Sequence, residues 1–209
     1  MPARLDYFDG FVSDWAGKSV IDVGCGGGFM SEALARRSAD VVGLDQSEGA
    51  IDAARRHALT TGLSINYRVV VAKRLGFEDE SFDTVVCVDV LKHFVDLDCA
   101  ISEVARKLRS GGLFLFDTIN RNRVAKFIVI TAAERIVELL PLGAHDPDPF
   151  IRPGELRAKL NSFDFKVLDL AGLGPRGLSG QLDIKFGKVP SNLIQYMGVA
   201  QKLSGGLLQ

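Results

Sequence analysis

The run Val20 to Phe29, Val-Ile-Asp-Val-Gly-Cys-Gly-Gly-Gly-Phe, sets an aspartate and then glycines at alternating positions: Asp22, Gly24, Gly26 and Gly28. Glycine there permits positive φ and lets a ligand lie directly on the backbone. The spacing departs from the dinucleotide fingerprint Gly-x-Gly-x-x-Gly, because counting from Gly24 and Gly26 puts Phe29 where the third glycine should fall. A carboxylate at Asp22 would repel a pyrophosphate and attract a ligand's ammonium. Asp45 closes the next apolar run, and an acid at a strand end can accept both hydroxyls of a ribose. Asp22, the glycine loop and Asp45 together suggest a nucleoside joined to an amino acid. Taken singly, each has an ordinary alternative, since glycine-rich strand ends are common turns and a strand-terminal aspartate often caps a helix. A second cluster, Asp89-Val-Leu-Lys-His93, offers an acid, an ammonium and an imidazole that titrates close to neutral pH.

Positioning these groups requires strand ends that open into loops, and the pattern up to Thr118 supplies them. Short β-branched runs at Lys18 to Val23, Asp40 to Asp45, Ile65 to Val71, Phe82 to Val88 and Leu113 to Thr118 alternate with Ala, Leu, Glu and Arg at helical spacing over Phe29 to Arg37, Glu48 to Leu59 and Leu97 to Leu108. Near-continuous apolar strands suit a parallel sheet covered on both faces. Beyond Asn120 the spacing predicts a helix over Arg123 to Leu140, ended by Pro141 and Gly143, then a Pro/Asp loop from Ala144 to Phe150 and a capped helix from about Arg152. Two final strands are expected at Phe165 to Leu170 and Leu193 to Ala200, with Gly172 to Gly180 as a glycine-rich loop between them. The expectation is an α/β, doubly wound, mostly parallel seven-stranded sheet in one domain over residues 1–209, with a lid or substrate insertion at about 121–150.

Composition excludes several classes. At 209 residues, 47% hydrophobic and 24% charged, the chain can bury one good core and is not disordered. The most apolar stretch, Val124 to Leu142, is broken by Lys126, Glu134, Arg135 and Glu138, whereas a membrane span needs about 20 apolar residues. Lys and Arg total 25 against 26 for Asp and Glu, which offers no broad attraction to nucleic acid. The three cysteines show no metal-binding spacing, and the chain opens on no secretory leader pattern, so a reducing cytoplasm is expected.

On the glycine loop and Asp45, the chain resembles the class I methyltransferases that use S-adenosylmethionine, a Rossmann-like fold. Asp117-Thr-Ile-Asn-Arg-Asn122, Leu140-Pro-Leu-Gly-Ala-His-Asp146, Phe150-Ile-Arg-Pro-Gly-Glu-Leu156, Pro2-Ala-Arg-Leu5 and Asn192-Leu-Ile-Gln-Tyr-Met197 are similar to the ubiquinone-biosynthesis O-methyltransferase family. The resemblance covers nearly the whole chain. It implies O-methylation of a phenol or catechol hydroxyl, with a polyprenylated quinol of ubiquinone synthesis as acceptor. Another small metabolite, or a binding role without turnover, is the alternative. Position by position, it implies that Arg4 pairs with the cofactor carboxylate as a fork, that Gly24 and Asp45 hold the loop and ribose positions, and that Val88 meets the methionine end. Gln46 is a further ribose contact. Ala72 falls at the adenine-flanking position, where the match is poor because Lys73 stands where many relatives place a carboxylate. Asp22, Cys25, Gly26 and Gly28 complete the cofactor-binding set, with no nucleophilic role for Cys25.

Methyl transfer from a sulfonium to a phenol needs in-line approach and an oxygen stripped of its proton. Where the family pattern would read Glu-Met-Leu-Glu-His, this chain has Asp89, Lys92 and His93. Exchanging an acid for an ammonium removes a metal ligand and adds a positive charge, so no metal is expected. His93 then becomes the candidate base, with Asp89 beside it; the alternative for His93 is a helix-start packing role. His145, with Asp146, falls in the loop that resembles the family's substrate side and is the third catalytic candidate, against a plain surface-loop reading. His57 reads as solvent-exposed. The Arg123 to Leu140 helix reads as a lid over an aromatic substrate, and the alternative is peripheral contact with a membrane that holds the prenylated acceptor.

Overall fold

A computed structural model describes residues 2–70, 75–122, 124–125, 150–178 and 184–204. The expected strand–helix rhythm is present. Strands β1 (Ser19–Val23), β2 (Asp40–Asp45), β3 (Asn66–Val69), β4 (Phe82–Cys87) and β5 (Leu108–Ile119) alternate with α2 (Phe29–Ala35), α3 (Glu48–Thr60) and α4 (Leu97–Lys107), after an opening α1 (Pro2–Phe8). Helix α5 (Pro153–Ser162) precedes β6 (Phe165–Leu178), β7 (Ile184–Val189) and β8 (Gln195–Lys202). Local chemistry fixes the helix starts. The Ser47 hydroxyl accepts from Ala50 N at 3.3 Å ahead of α3, and Asp96 accepts from Cys99 N at 2.9 Å ahead of α4.

The sheet runs β3-β2-β1-β4-β5-β8-β6-β7, with β1 to β5 parallel and β8 antiparallel to both of its neighbours. Strand period two sorts the core onto two faces. Ile21, Val85, Phe114 and Phe116 pack with Ile101, Val104, Leu156 and Leu160 of α4 and α5. Val20, Val86 and Leu115 pack with Leu5, Phe8, Met30 and Leu34 of α1 and α2. The strand order reverses between β1 and β4, which pair directly through Val20 and Thr84, so a crevice opens at their C-terminal ends. That crevice is where the glycine loop and the Asp89 turn meet.

Among the described residues the sheet has eight strands, against an expected seven. The stretch from Gly172 is not a loop: it continues β6 to Leu178 and forms a hairpin with β7, Gly172 opposite Val189. Pro175 is tolerated because β6 pairs with β8 only as far as Leu173, so farther along its second edge needs no N–H donor. Gly172 serves close approach rather than turning, since a Cβ there would lie 1.9 Å from Ser191 O. The expected lid helix over Arg123 to Leu140 lies outside the described residues apart from Val124 and Ala125, as do His145, Asp146 and Ala72. Where the chain resumes, Ile151 N donates to Ile119 O at 3.0 Å and the Tyr196 hydroxyl donates to Ile151 O at 3.1 Å, fixing α5 against β5 and β8. Among the described residues no helix is long and apolar enough to cross a membrane.

Candidate active site

The glycine loop turns sharply off β1. Gly24 N and Cys25 N both donate to Leu44 O, at 2.7 and 2.9 Å, which ties the loop to the end of β2. A Cβ on Gly24 would stand 2.3 Å from a Val90 methyl, so only glycine lets the loop and the β4 turn close on each other. Gly28 caps α2 in the left-handed region at φ 84°, where a Cβ would meet the Tyr67 hydroxyl at 2.3 Å. Gly26 N donates to one oxygen of Asp45 at 2.9 Å, and Ser47 N donates to the other at 2.8 Å. Both oxygens are thereby oriented, yet an ionised carboxylate offers about four acceptor positions, so two remain for a diol.

Two loop residues lie elsewhere than expected. Asp22 is 1% exposed and accepts from the Ser31 hydroxyl at 2.6 Å, so its carboxylate braces the start of α2 and does not line the crevice. Burial pushes its pKa up to about 6, against the pull of the Ser31 hydrogen bond. Cys25 turns its thiol into a small cluster with Ile51, Ala54, Ala58 and Tyr67, and burial drives that thiol far above its ordinary range. It does not line the crevice. His57 is exposed, as expected, and its Nδ1 stands 2.5 Å from Oε1 of the buried Glu32.

The crevice is a cavity of about 250 Å³. Gly24, Asp45 and Gln46 line one part of it and Val88, Asp89 and His93 another, with Val23, Val70, Val90 and Phe94 supplying apolar wall. Six of the predicted positions therefore share one cavity. His93 ends a single 3-10 turn, Leu91–His93, and its N–H donates to Val90 O at 2.8 Å.

Beside this cavity lies an ionic cluster whose two key members, Asp117 and Gln195, sequence reasoning missed. Arg4 Nη2 donates to Asp89 Oδ2 at 2.6 Å and Arg4 Nε donates to Asp117 Oδ2 at 2.5 Å. Gln195 Nε2 donates to Asp117 at 3.1 Å and to Asp89 at 3.2 Å, and Asp89 N donates to Asp117 Oδ1 at 2.5 Å. Burial, and then the Asp89 charge, push the Asp117 carboxyl up, while Arg4 opposes the shift. Arg4 thus spends one edge of its guanidinium on two carboxylates instead of standing unengaged for a ligand. The signal for Asp117 was a lone acid near the end of an apolar strand, the same signal that marked Asp45.

The donors around Asp89 do not suit a metal ion. Lys92 Nζ lies 3.7 Å from Asp89 Oδ1 and Arg4 approaches the other oxygen, so a divalent cation there would face two positive charges. Among the described residues no group of three His, Cys, Asp or Glu is placed to hold one.

Residues 21–116 match a methyltransferase domain family. The chain is 43% identical over 173 residues to a ubiquinone biosynthesis O-methyltransferase of Stutzerimonas stutzeri, covering 82% of this chain and 74% of that one, and 42% identical to the protein of the same name from Hahella chejuensis, covering 82% and 72%. The chain belongs to the ubiquinone biosynthesis O-methyltransferase family. Its cofactor is S-adenosylmethionine, and its chemistry is methyl transfer to oxygen. The fold is that of a Methanosarcina mazei S-adenosylmethionine-dependent methyltransferase, at a TM-score of 0.70 and 22% identity over 94% of this chain and 97% of that one. A magnesium protoporphyrin IX methyltransferase from Synechocystis, solved with S-adenosylhomocysteine, shares it at a TM-score of 0.66 and 21% identity over 95% and 79%. Methyl transfer by such a cofactor asks for a pocket that ends beside an acceptor's oxygen, and the Val88 to His93 turn bounds this cavity.

Proposed function

We propose that the methyl acceptor is a phenol or catechol hydroxyl, carried by a polyprenylated quinol intermediate of ubiquinone synthesis. The observation that carries this reading is the shared cavity, in which Asp45 and His93 both form wall. Asp45 and Gln46 accept the ribose hydroxyls, Gly24 lets the methionine chain lie on backbone, and Val88 packs against it. Arg4 receives the cofactor carboxylate through its Nη1 side, since Nε and Nη2 are held by Asp117 and Asp89. His93 takes the acceptor's proton as transfer proceeds. No metal takes part in this reading, because two cations, Arg4 and Lys92, already approach the oxygens of Asp89. Purified protein with S-adenosylmethionine and a panel of catechols, with and without prenyl tails, tests it. Stoichiometric S-adenosylhomocysteine and a methylated catechol are expected, while cofactor binding without product on any phenol refutes the acceptor assignment.

A further inference from the structure

We propose that Asp117 is a positioning residue for the cofactor: its carboxylate fixes the Arg4 guanidinium by the Nε side and leaves Nη1 for the cofactor's carboxylate. This rests on the reading of Arg4 given above. Period two along β5 puts Phe114 and Phe116 against α4 and α5, so Asp117 falls on the opposite face, where α1 brings Arg4. The Asp117 side chain is wholly buried, and a buried carboxylate is costly unless every oxygen is met by a donor. Three donors meet it, from α1, β8 and the turn after β4: Arg4 Nε, Gln195 Nε2 and Asp89 N. Arg4 could not be oriented by Asp89 alone, because a single Nη contact leaves the guanidinium plane free to rotate, whereas Nε and Nη2 held together fix it. Asp117 also holds Asp89, which sits at φ 60° in a conformation that side-chain-bearing residues rarely adopt, by accepting its N–H. One buried carboxylate therefore sets both the group that meets the cofactor carboxylate and the acid that lines the cavity.

A double-mutant cycle on S-adenosylhomocysteine affinity, read by calorimetry on the full chain, tests this without reference to the acceptor. Asp117→Asn keeps the shape and removes the charge, and should weaken binding roughly tenfold, the scale of one charge-assisted hydrogen bond. Arg4→Ala should weaken it at least as much. In the Arg4→Ala background Asp117→Asn should cost nothing more, whereas a merely structural role would cost the same factor in both. Arg4→Lys keeps the charge without the fork and should behave as Arg4→Ala does. If Asp117→Asn does not fold, Asp117→Ser, which retains an acceptor for Asp89 N–H, replaces it in the cycle. Unchanged affinity in Asp117→Asn, or additive losses, overturns the proposal while leaving Arg4 as a cofactor ligand. Unchanged affinity in Arg4→Ala overturns the Arg4 reading and this proposal together.

Discussion

Asp45 is the residue on which cofactor affinity should depend most sharply, and its surroundings set the size of the effect. Each oxygen already accepts one backbone N–H, from Ser47 and from Gly26, so the carboxylate cannot swing away and enters binding preorganised. Two ribose hydroxyls would add two hydrogen bonds to a charged acceptor, each worth about 1.5 to 3 kcal/mol. They share one carboxylate in a partly exposed site, so they do not add in full. Asp45→Ala also releases Gly26 N–H, which loosens the loop that carries the methionine chain. The expected loss is about 2 to 4 kcal/mol, roughly 30- to 1000-fold in Kd for S-adenosylhomocysteine. Asp45→Asn separates the two contributions, because its amide oxygen can still accept from one backbone N–H while the charge is gone, and it should fall between wild type and Asp45→Ala. Isothermal titration calorimetry measures all three. Wild-type affinity in a folded Asp45→Ala protein would remove Asp45 from the site and with it the ribose assignment.

His93→Ala should lower turnover by roughly 100- to 10,000-fold, the worth of a positioned general base, with S-adenosylhomocysteine affinity nearly intact; equal loss of both would make His93 a packing residue. EDTA should leave wild-type methyl transfer unchanged, and activity abolished by EDTA and restored by magnesium would sink the metal-free reading. NAD and NADP should show no saturable binding at micromolar concentration, since Phe29 replaces the third glycine of a dinucleotide loop. Asp22 sets a pH dependence of stability: its pKa is raised from 3.8 to about 6, so between those values the folded state holds a proton that the unfolded state has lost, and stability falls as pH rises through that window by up to about 3 kcal/mol. Denaturant titrations across that range should show this slope in wild type and its loss in Asp22→Asn, and an unaltered slope in the variant would assign the effect to another group.

The parallel half of the sheet was legible mainly from β1, β2, β4 and the second half of β5, whose apolar runs reflect burial on both faces, whereas the edge strand β3 buries only Tyr67. The β6–β7 hairpin was not, because Gly172, Gly174, Pro175 and Gly177 carry the marks of a turn. Their strand character comes from partners: β7 along one edge, and beyond Leu173 no partner that would require an N–H from Pro175. The site divides in the same way. Gly24, Asp45, Gln46, Val88, Asp89 and His93 share the cavity because each lies at or just beyond a strand end, and strand ends at the switch point face the crevice. Gln195 had no local mark. It reaches Asp117 and Asp89 only because β8 inserts beside β5, a pairing of strands 78 residues apart at Asp117 and Gln195.

The same sequence feature, an aspartate at or near the C-terminal end of an apolar strand, occurs on β1, β2 and β5 and yields three different roles. On β1, Asp22 comes before the last strand residue, so the chain is still inside the sheet and the carboxylate is trapped beneath α2 with Ser31. On β2, Asp45 is the last strand residue, partly exposed, with its oxygens set by two loop N–H groups and its remaining positions turned to the cavity. On β5, Asp117 lies two residues before the strand ends at Ile119, but α1 covers that face and brings the Arg4 guanidinium, which opposes the upward push of burial on the acid's pKa. Depth along the strand decides whether the carboxylate meets ligand or protein. What the covering helix carries then decides which donor meets the buried acid, the Ser31 hydroxyl for Asp22 and the Arg4 guanidinium for Asp117, and each opposes the rise in pKa that burial imposes.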